Sequence, residues 1–242
     1  MAETKYKHVL LKISGEGLCR EGMGGIDGEE LRRLAEEIKL VVDLGVRVSV
    51  VVGGGNLVRG GDISKNSPIE ETTGHYMGML STVINALAVQ DTLEAIGVPT
   101  RVQSAIPIAS VCEPFIRRRA LRHLDRKRVV IFAAGTGNPF VTTDTGAALR
   151  ASEVRADVVL KATKVDGVYT ADPHKDPTAT RIERLSYNDV IDKRLKVMDV
   201  SAIDLCQRNN IPIIVLNLKK PGAMRAVVSG DRVGTLIDNG DN

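Results

Sequence analysis

Three stretches of this 242-residue chain set glycines beside cations and hydroxyls. The first is Lys12-Ile13-Ser14-Gly15-Glu16-Gly17. The second is Gly53-Gly54-Gly55-Asn56, closing at Arg59-Gly60-Gly61. The third runs from Ala134 through Gly135, Thr136, Gly137, Asn138, Pro139, Phe140 and Val141 to Thr142, Thr143 and Asp144. Glycine lets a backbone approach a ligand closely and turn successive N–H groups toward one point. A helix after such a loop adds the positive end of its dipole. Phosphate is the ligand this chemistry suits. Three loops of this kind predict two phosphorylated ligands facing each other, whereas any one alone reads equally well as a tight strand–helix turn.

The elements around the loops explain why they converge. Short apolar runs at 8–13 (HVLLKI), 47–52 (RVSVVV), 128–133 (RVVIFA), 157–161 (DVVLK) and 212–216 (PIIVL) are β-branched and apolar on both faces. Parallel strands covered on both sides read this way. Helical patterns lie between them at 27–44, 76–96, 117–124, 145–154, 186–195 and 201–209. Asp27 with Glu30 suggests a capping box for the first, and Ser186 with Asp189 a cap for the fifth. In the long 76–96 helix, Met79, Leu80, Val83, Leu87 and Ala88 are expected on the packed face. Strand–helix alternation predicts an α/β fold, with ligands in the crevice beyond the carboxyl ends of the strands. Residues 170–180 (TADPHKDPTAT) read as a surface loop.

Lys12 and Lys161 each end one of the buried runs. A lysine there is costly unless an anion meets it, the alternative being a stem that snorkels to solvent. Asp144 and Asp199 each precede a helical stretch, so an N-cap competes with a role at the site.

Composition excludes several classes. Hydrophobic residues make up 43% and charged residues 26%, ordinary for a globular protein. The net charge of +3 tolerates anionic ligands without marking a nucleic-acid binder. With 3% aromatics and no Trp, a base-stacking platform is not expected. Cys19, Cys112 and Cys206 are odd in number and widely spaced, which suits packing thiols in a reducing compartment. His8, His75, His123 and His174 lack metal-ligand spacing, so no protein-held metal is expected. No apolar run approaches the ~20 residues of a membrane span, and the first residues lack a signal-peptide pattern, so a cytoplasmic location is expected. GxxxxGK[ST], the protein-kinase signature and GxGxxG are all absent.

Six segments, LLKISGEGL (10–18), VVGGGNLVRG (51–60), MGML (77–80), AGTGNPFVTTDT (134–145), LKATKVDGVYTADPHKDPTAT (160–180) and LKVMD (195–199), carry a resemblance. In order and spacing, over nearly the whole chain, they resemble the bacterial uridylate kinases of the amino acid kinase superfamily. The resemblance implies a three-layer αβα sandwich with a mainly parallel sheet, as one domain over 1–242. The acceptor would bind to about 1–155 and ATP to about 156–242. It implies transfer from ATP to UMP with Mg²⁺, a homohexamer, and GTP or UTP as effector.

The resemblance also implies residue roles. Lys12 and Lys161 would meet the transferred phosphoryl group, with Asp144 and Asp199 orienting lysines or magnesium-bound water. Lys12, Ile13, Ser14, Gly15, Gly55 and Arg59 would hold ATP phosphates, and Thr163, Tyr169 and Asp172 its nucleoside. Tyr169 also reads as a simple packed aromatic. Gly54 and the run Thr136, Gly137, Asn138, Pro139, Phe140, Val141, Thr142 and Thr143 would form the UMP pocket. The family usually places an acidic residue on the acceptor ribose where this chain has His75. Arg101 and Arg128 match effector positions. The nearby cluster Arg117, Arg118, Arg119, Arg122 and Arg126 reads as a solvated helix face, a nucleic-acid patch or part of an effector site. Two rivals remain at this level: another phosphotransferase of the superfamily acting on a carboxylate, carbamate or isopentenyl phosphate, or a non-catalytic nucleotide-binding regulator.

Overall fold

The computed structural model describes residues 4–173 and 175–240. His174 lies outside the described residues. Eleven strands occur among them: β1 His8–Ile13, β2 Arg47–Val52, β3 Thr100–Ser104, β4 Glu113–Pro114, β5 Val129–Ala133, β6 Val158–Thr163, β7 Val168–Tyr169, β8 Arg181–Ile182, β9 Arg184–Ser186, β10 Ile213–Asn217 and β11 Thr235–Asp238. The helices are α1 Gly28–Val42, α2 Gly60–Lys65, α3 Glu71–Ala95, α4 Arg117–Asp125, α5 Thr143–Val154, α6 Tyr187–Asp192, α7 Val200–Arg208 and α8 Ala223–Ser229.

Nine strands form one sheet in the order β4-β3-β5-β2-β1-β6-β10-β11-β9. Every pairing is parallel except β10 with β11. Strand β1 lies between β2 and β6, so the chain leaves it toward one edge and returns to pair on its other side. That reversal is the topological switch at which open α/β sheets bind ligands.

Alternation along the strands makes the three layers. Val9, Leu11 and Ile13 join α1, α3 and α8 in one apolar cluster, while Leu10 joins α4, α5, α6 and α7 in the other. Side chains alternate across a strand, so Lys12 continues the row of Leu10 and faces α5. Lys161 does the same beyond Val159. Both lysines are thus carried to the sheet's carboxyl edge on one face.

Two expectations about helices are corrected. Asp27 caps α1 by accepting from the N–H groups of Glu29 and Glu30, at 2.9 and 3.2 Å. The Glu30 carboxylate turns outward to Arg33, 3.3 Å away, so only half the box forms. On α3, Leu80 is exposed, and with Tyr76 and Ile84 it forms an apolar stripe on the outer side. That helix is apolar almost all round, so periodicity alone does not select its packed face. The box of Ser186 with Asp189 forms completely. The 170–180 loop is closed at its base by the hairpin of β7 with β8.

Candidate active site

Lys12 and Lys161 are register partners on adjacent parallel strands. Like charges so close need an anion between them, and Asp144 supplies it. Its carboxylate lies 2.5 Å from the Lys12 ammonium and 2.7 Å from that of Lys161. Lys12 and Lys161 are buried, at 5% and 9% exposure. Burial, followed by the neighbouring Lys12 charge, lowers the Lys161 pKa to about 8, although Asp144 opposes the shift. Burial raises the Asp144 pKa, but the two lysines outweigh it and hold that carboxyl below its usual range.

The N-cap reading of Asp144 is corrected. Thr142 caps α5 by accepting from the Thr145 N–H, and Asp144 sits in the first turn, where it reaches across to β1 and β6. Asp199 does occupy the N-cap position of α7, but its carboxylate accepts the Thr142 hydroxyl instead of a helix N–H. A second hydroxyl pair, Thr145 with Ser201 at 2.8 Å, ties the same two helix starts together.

The glycine loops meet in a cleft of about 460 Å³ that Lys12 lines; Lys161 and Asp144 lie behind Lys12 and do not line it. It is lined by Lys12, Ser14, Gly15, Gly54, Gly55, Arg59, His75, Thr136, Val141, Thr142 and Thr143, all expected at the site, together with Glu16, Met79 and Thr82 among others. At Gly54 the glycine serves packing. A Cβ there would lie 2.6 Å from the Gly78 carbonyl oxygen and 2.8 Å from Ser81 Cβ, so α3 could not approach. Gly55 is different, since the nearest atom to its would-be Cβ is 3.6 Å away on Arg59. That backbone remains open to a ligand.

The third loop is strained in a way its sequence does not announce. Ala134, Gly135, Gly137 and Phe140 all have positive φ, at 59°, 54°, 82° and 64°. Such conformations in non-glycine residues cluster at ligand-binding turns. Asn138 folds its N–H onto the Thr136 hydroxyl at 3.2 Å. Phe140 is exposed and lays its ring against His75, with 4.7 Å between centroids. Gly137, Asn138, Pro139 and Phe140 therefore form the outer lip, and Thr136 with residues 141–143 the wall.

The residues expected around the ATP nucleoside stand apart from this cleft. Ile13, expected at the ATP phosphates, is a buried strand end and stands apart too. It lines, with Thr163, a narrow neighbouring cavity of about 80 Å³. The Thr163 hydroxyl donates to the Val165 carbonyl at 2.6 Å. Tyr169 donates its hydroxyl to Asp166, which raises the phenol's pKa. The Asp172 backbone carbonyl opens a turn, accepting from the N–H groups of Lys175 and Asp176. Arg101 pairs with Glu94 at 2.9 Å and Arg128 with His123 at 3.1 Å. Both arginines sit at the starts of β3 and β5, the opposite end of the sheet from the cleft.

Three positioning residues are absent from the expected set. Asn56 and Asn85 bond each other, and Asn85 also donates to the Gly53 carbonyl at 2.7 Å. This buried pair clamps the second loop to α3. Thr82 accepts the Ala134 N–H at 2.7 Å and fixes the entry to the third loop. The sequence signal for Thr82 and Asn85 is a polar residue inside the otherwise apolar α3; Asn56 is signalled only by following the three glycines of the second loop.

The sequence pattern of the amino acid kinase family matches residues 7–217. The chain belongs to the amino acid kinase family. Within it, a uridylate kinase from Paramagnetospirillum magneticum is 57% identical over 238 residues, covering 98% of this chain and 99% of the relative. The crystal structure of a UMP kinase from Bacillus anthracis aligns with a TM-score of 0.94 at 40% identity, over 98% of this chain and 97% of that one. A UMP kinase from Ureaplasma parvum gives 0.90 at 35% identity, over 97% and 99%. This member of the family keeps the sandwich expected from its sequence. Among its described residues no helix is long and apolar enough to cross a membrane.

Proposed function

We propose that this chain is an ATP-dependent UMP kinase supplying UDP for pyrimidine nucleotide synthesis. The observation that carries the reading is the lysine pair bridged by Asp144, of which Lys12 lines a glycine-walled cleft. Relatives named uridylate or UMP kinase, across nearly full length, fix the acceptor. In the reaction, a phosphate oxygen of UMP attacks the γ-phosphorus of ATP. The bond to the β-bridging oxygen breaks, and ADP leaves with the electron pair. The attacking phosphate is largely ionised near neutral pH, its second pKa being about 6, so no general base is needed. Alignment and cationic charge around the moving group do the work. Lys12 and Lys161 supply that charge from the face of α5, and Asp144 keeps both aimed while no phosphate is present. Arg59 and the open Gly55 backbone take ATP phosphates. Gly54, residues 136–143 and His75 hold UMP.

Magnesium fits this site as a companion of the phosphates. No cluster of three or more metal-binding side chains exists among the described residues, and Asp144 is already engaged by two lysines. Mg²⁺ characteristically keeps several waters and binds through substrate phosphates with one or two carboxylates, which Asp144 and Asp199 would supply. Bound there, it would neutralise phosphate charge.

The rest of the reading rests on the fold. Residues 1–155 contribute nearly all of the cleft and form the acceptor part; residues 156–242 form the donor part. The exposed stripe Tyr76, Leu80 and Ile84 on α3 supports burial against a second copy in a homohexamer. Arg101 and Arg128, remote from the cleft, would receive a GTP effector; UTP is the other effector of the reading, with no site assigned. A cytoplasmic location completes the reading.

ADP release measured with ATP and UMP, CMP, dUMP or amino-acid acceptors tests the proposal. UMP should lead by a wide margin, because a polar pocket rejects analogues that leave its groups unpaired. Comparable kcat/KM for UMP and CMP would replace it with a broader nucleoside monophosphate kinase.

A further inference from the structure

Glu16 occupies an unusual position. It sits in the turn after β1, and its two carboxylate oxygens pair with cations from loops on either side of that strand. One accepts from Arg59, beyond β2; the other lies 3.2 Å from the Lys164 ammonium, beyond β6. Glu16 lines the 460 Å³ cleft, the narrow cavity beneath Thr163, and a recess of about 230 Å³ on the other side. Arg59 and Lys164 both wall that recess, together with the open Gly55. Each cation is about half exposed. The other acidic group near Lys164 is Glu21, at 4.0 Å.

Two facts make this arrangement informative. An exposed ion pair contributes about 0–1 kcal/mol, so neither pair is needed to hold the loops. Yet Glu16 and Arg59 line both the cleft that holds Lys12 and the recess that Lys164 walls, and the donor polyphosphate assigned to Arg59 above carries several negative charges. A carboxylate that gathers two cations at a phosphate site occupies the place an incoming phosphate oxygen would take.

We propose that Lys164 is a further donor-binding residue, contacting a non-reacting phosphate of the nucleoside triphosphate in the recess beside Arg59, and that Glu16 is the internal anion the donor displaces there. This rests on the phosphotransferase reading above and adds a residue to its donor site. It also accounts for two cations from separate loops sharing one carboxylate.

Kinetics of single variants decide it. Wild-type turnover of ATP with UMP is measured first, and its absence would overturn the function itself. Lys164→Gln should then raise KM for ATP roughly tenfold, leave KM for UMP unchanged and lower kcat little, as lost ground-state binding does. Lys164→Arg should recover most of the loss, and the salt dependence of ADP binding by calorimetry should flatten in Lys164→Gln. Glu16→Gln separates direct contact from an indirect effect. If Lys164 touches the donor, Glu16→Gln leaves KM for ATP the same or lower, because a competing anion has gone. If the ion pair merely props Arg59, Glu16→Gln raises KM for ATP as much as Lys164→Gln does. That result, or an unchanged KM for ATP in Lys164→Gln, would overturn the inference while leaving the kinase reading intact.

Discussion

Lys12 and Lys161 stand side by side in register on β1 and β6, and the two ammonium groups share the Asp144 carboxylate. Two buried cations at contact distance are tolerable only while that anion, or a phosphate in its place, lies between them. The ligand-free site therefore sets two cations on one anion and keeps a surplus positive charge for a phosphate. Phosphate binding shifts the balance toward the transferred group. Replacing Lys12 by Ala should lower kcat by on the order of 10²-fold or more, because charge stabilisation of the moving phosphoryl is lost. The fold should persist, since one strand-end side chain disappears. Near-normal turnover in a folded Lys12→Ala protein would remove Lys12 from the chemistry.

The depressed Lys161 pKa predicts a pH limb. Only the protonated amine stabilises the phosphoryl group, and it loses its proton as pH rises through about 8. Since kcat/KM reports the free enzyme, it should fall above pH 8. The limb in kcat should lie higher, because bound phosphate favours the charged amine. Lys161→Arg costs rate through altered geometry, but its residual activity should show no limb near 8, since guanidinium stays charged. An identical limb in that variant would assign the titration elsewhere.

Gly54 should resist any side chain. An added methyl meets the Gly78 carbonyl oxygen at 2.6 Å, on a helix that is itself locked to the loop by Asn85. Neither side can retreat, so Gly54→Ala should destabilise by about 1–3 kcal/mol, as overpacking typically does. Activity should fall further than stability, because the loop that lines the cleft moves with the glycine. Thermal melting together with steady-state kinetics on the same preparation would reveal this; an unchanged Tm refutes the packing account.

Strands β1 and β2 were legible residue for residue, because continuous apolar runs have one economical fate in a doubly covered sheet. Strand β3, TRVQS, was not: its polar residues break the apolar run, and the buried Gln103 amide donates to Glu113 on the neighbouring β4, a pairing only the assembled sheet provides. Lys12 and Lys161 were legible as buried cations in want of an anion. That the anion is Asp144 depends on how far α5 lies from β1, a distance no local pattern encodes. Left-handed Ala134 and Phe140 were equally hidden, since neither residue type favours that conformation and only tertiary context imposes it.

Far from the cleft, His8 predicts how the fold responds to acid. The ring is fully buried in the sheet, with Nε2 on the Ser49 hydroxyl at 2.8 Å and Nδ1 without a partner. Burial first, then the Arg47 charge, lowers its pKa to about 4. Between about 4 and the ordinary 6.5, the unfolded chain binds a proton that the folded chain refuses. Stability therefore falls as pH drops from 6.5 toward 4, by about 3 kcal/mol at most for this one group. His8→Gln removes the titration, so its Tm should decline less steeply across that window than the wild-type Tm. Parallel slopes in the two proteins would place the acid sensitivity elsewhere.

His75 should act on the acceptor sugar and not on the phosphoryl transfer. Its ring lines the cleft, rests against Phe140 at the lip of the third loop, and has Glu71 3.8 Å away on the preceding turn of α3. An imidazole so placed can donate to or accept from neutral hydroxyls. Losing it leaves one such group unmet, worth about 1–2 kcal/mol. His75→Ala should accordingly raise KM for UMP by roughly five- to thirtyfold with kcat near normal, the pattern of lost uniform binding. His75→Asp should recover most of that loss, because a carboxylate accepts from two hydroxyls at once. Phe140→Ala tests the partner: if the ring holds His75 over the sugar, KM for UMP rises here too, by less, and His75→Ala adds little on top of it. Fully additive effects would mean that the two rings act independently. An unchanged KM in His75→Ala would mean that the ring only shields the helix end, leaving the sugar to other groups.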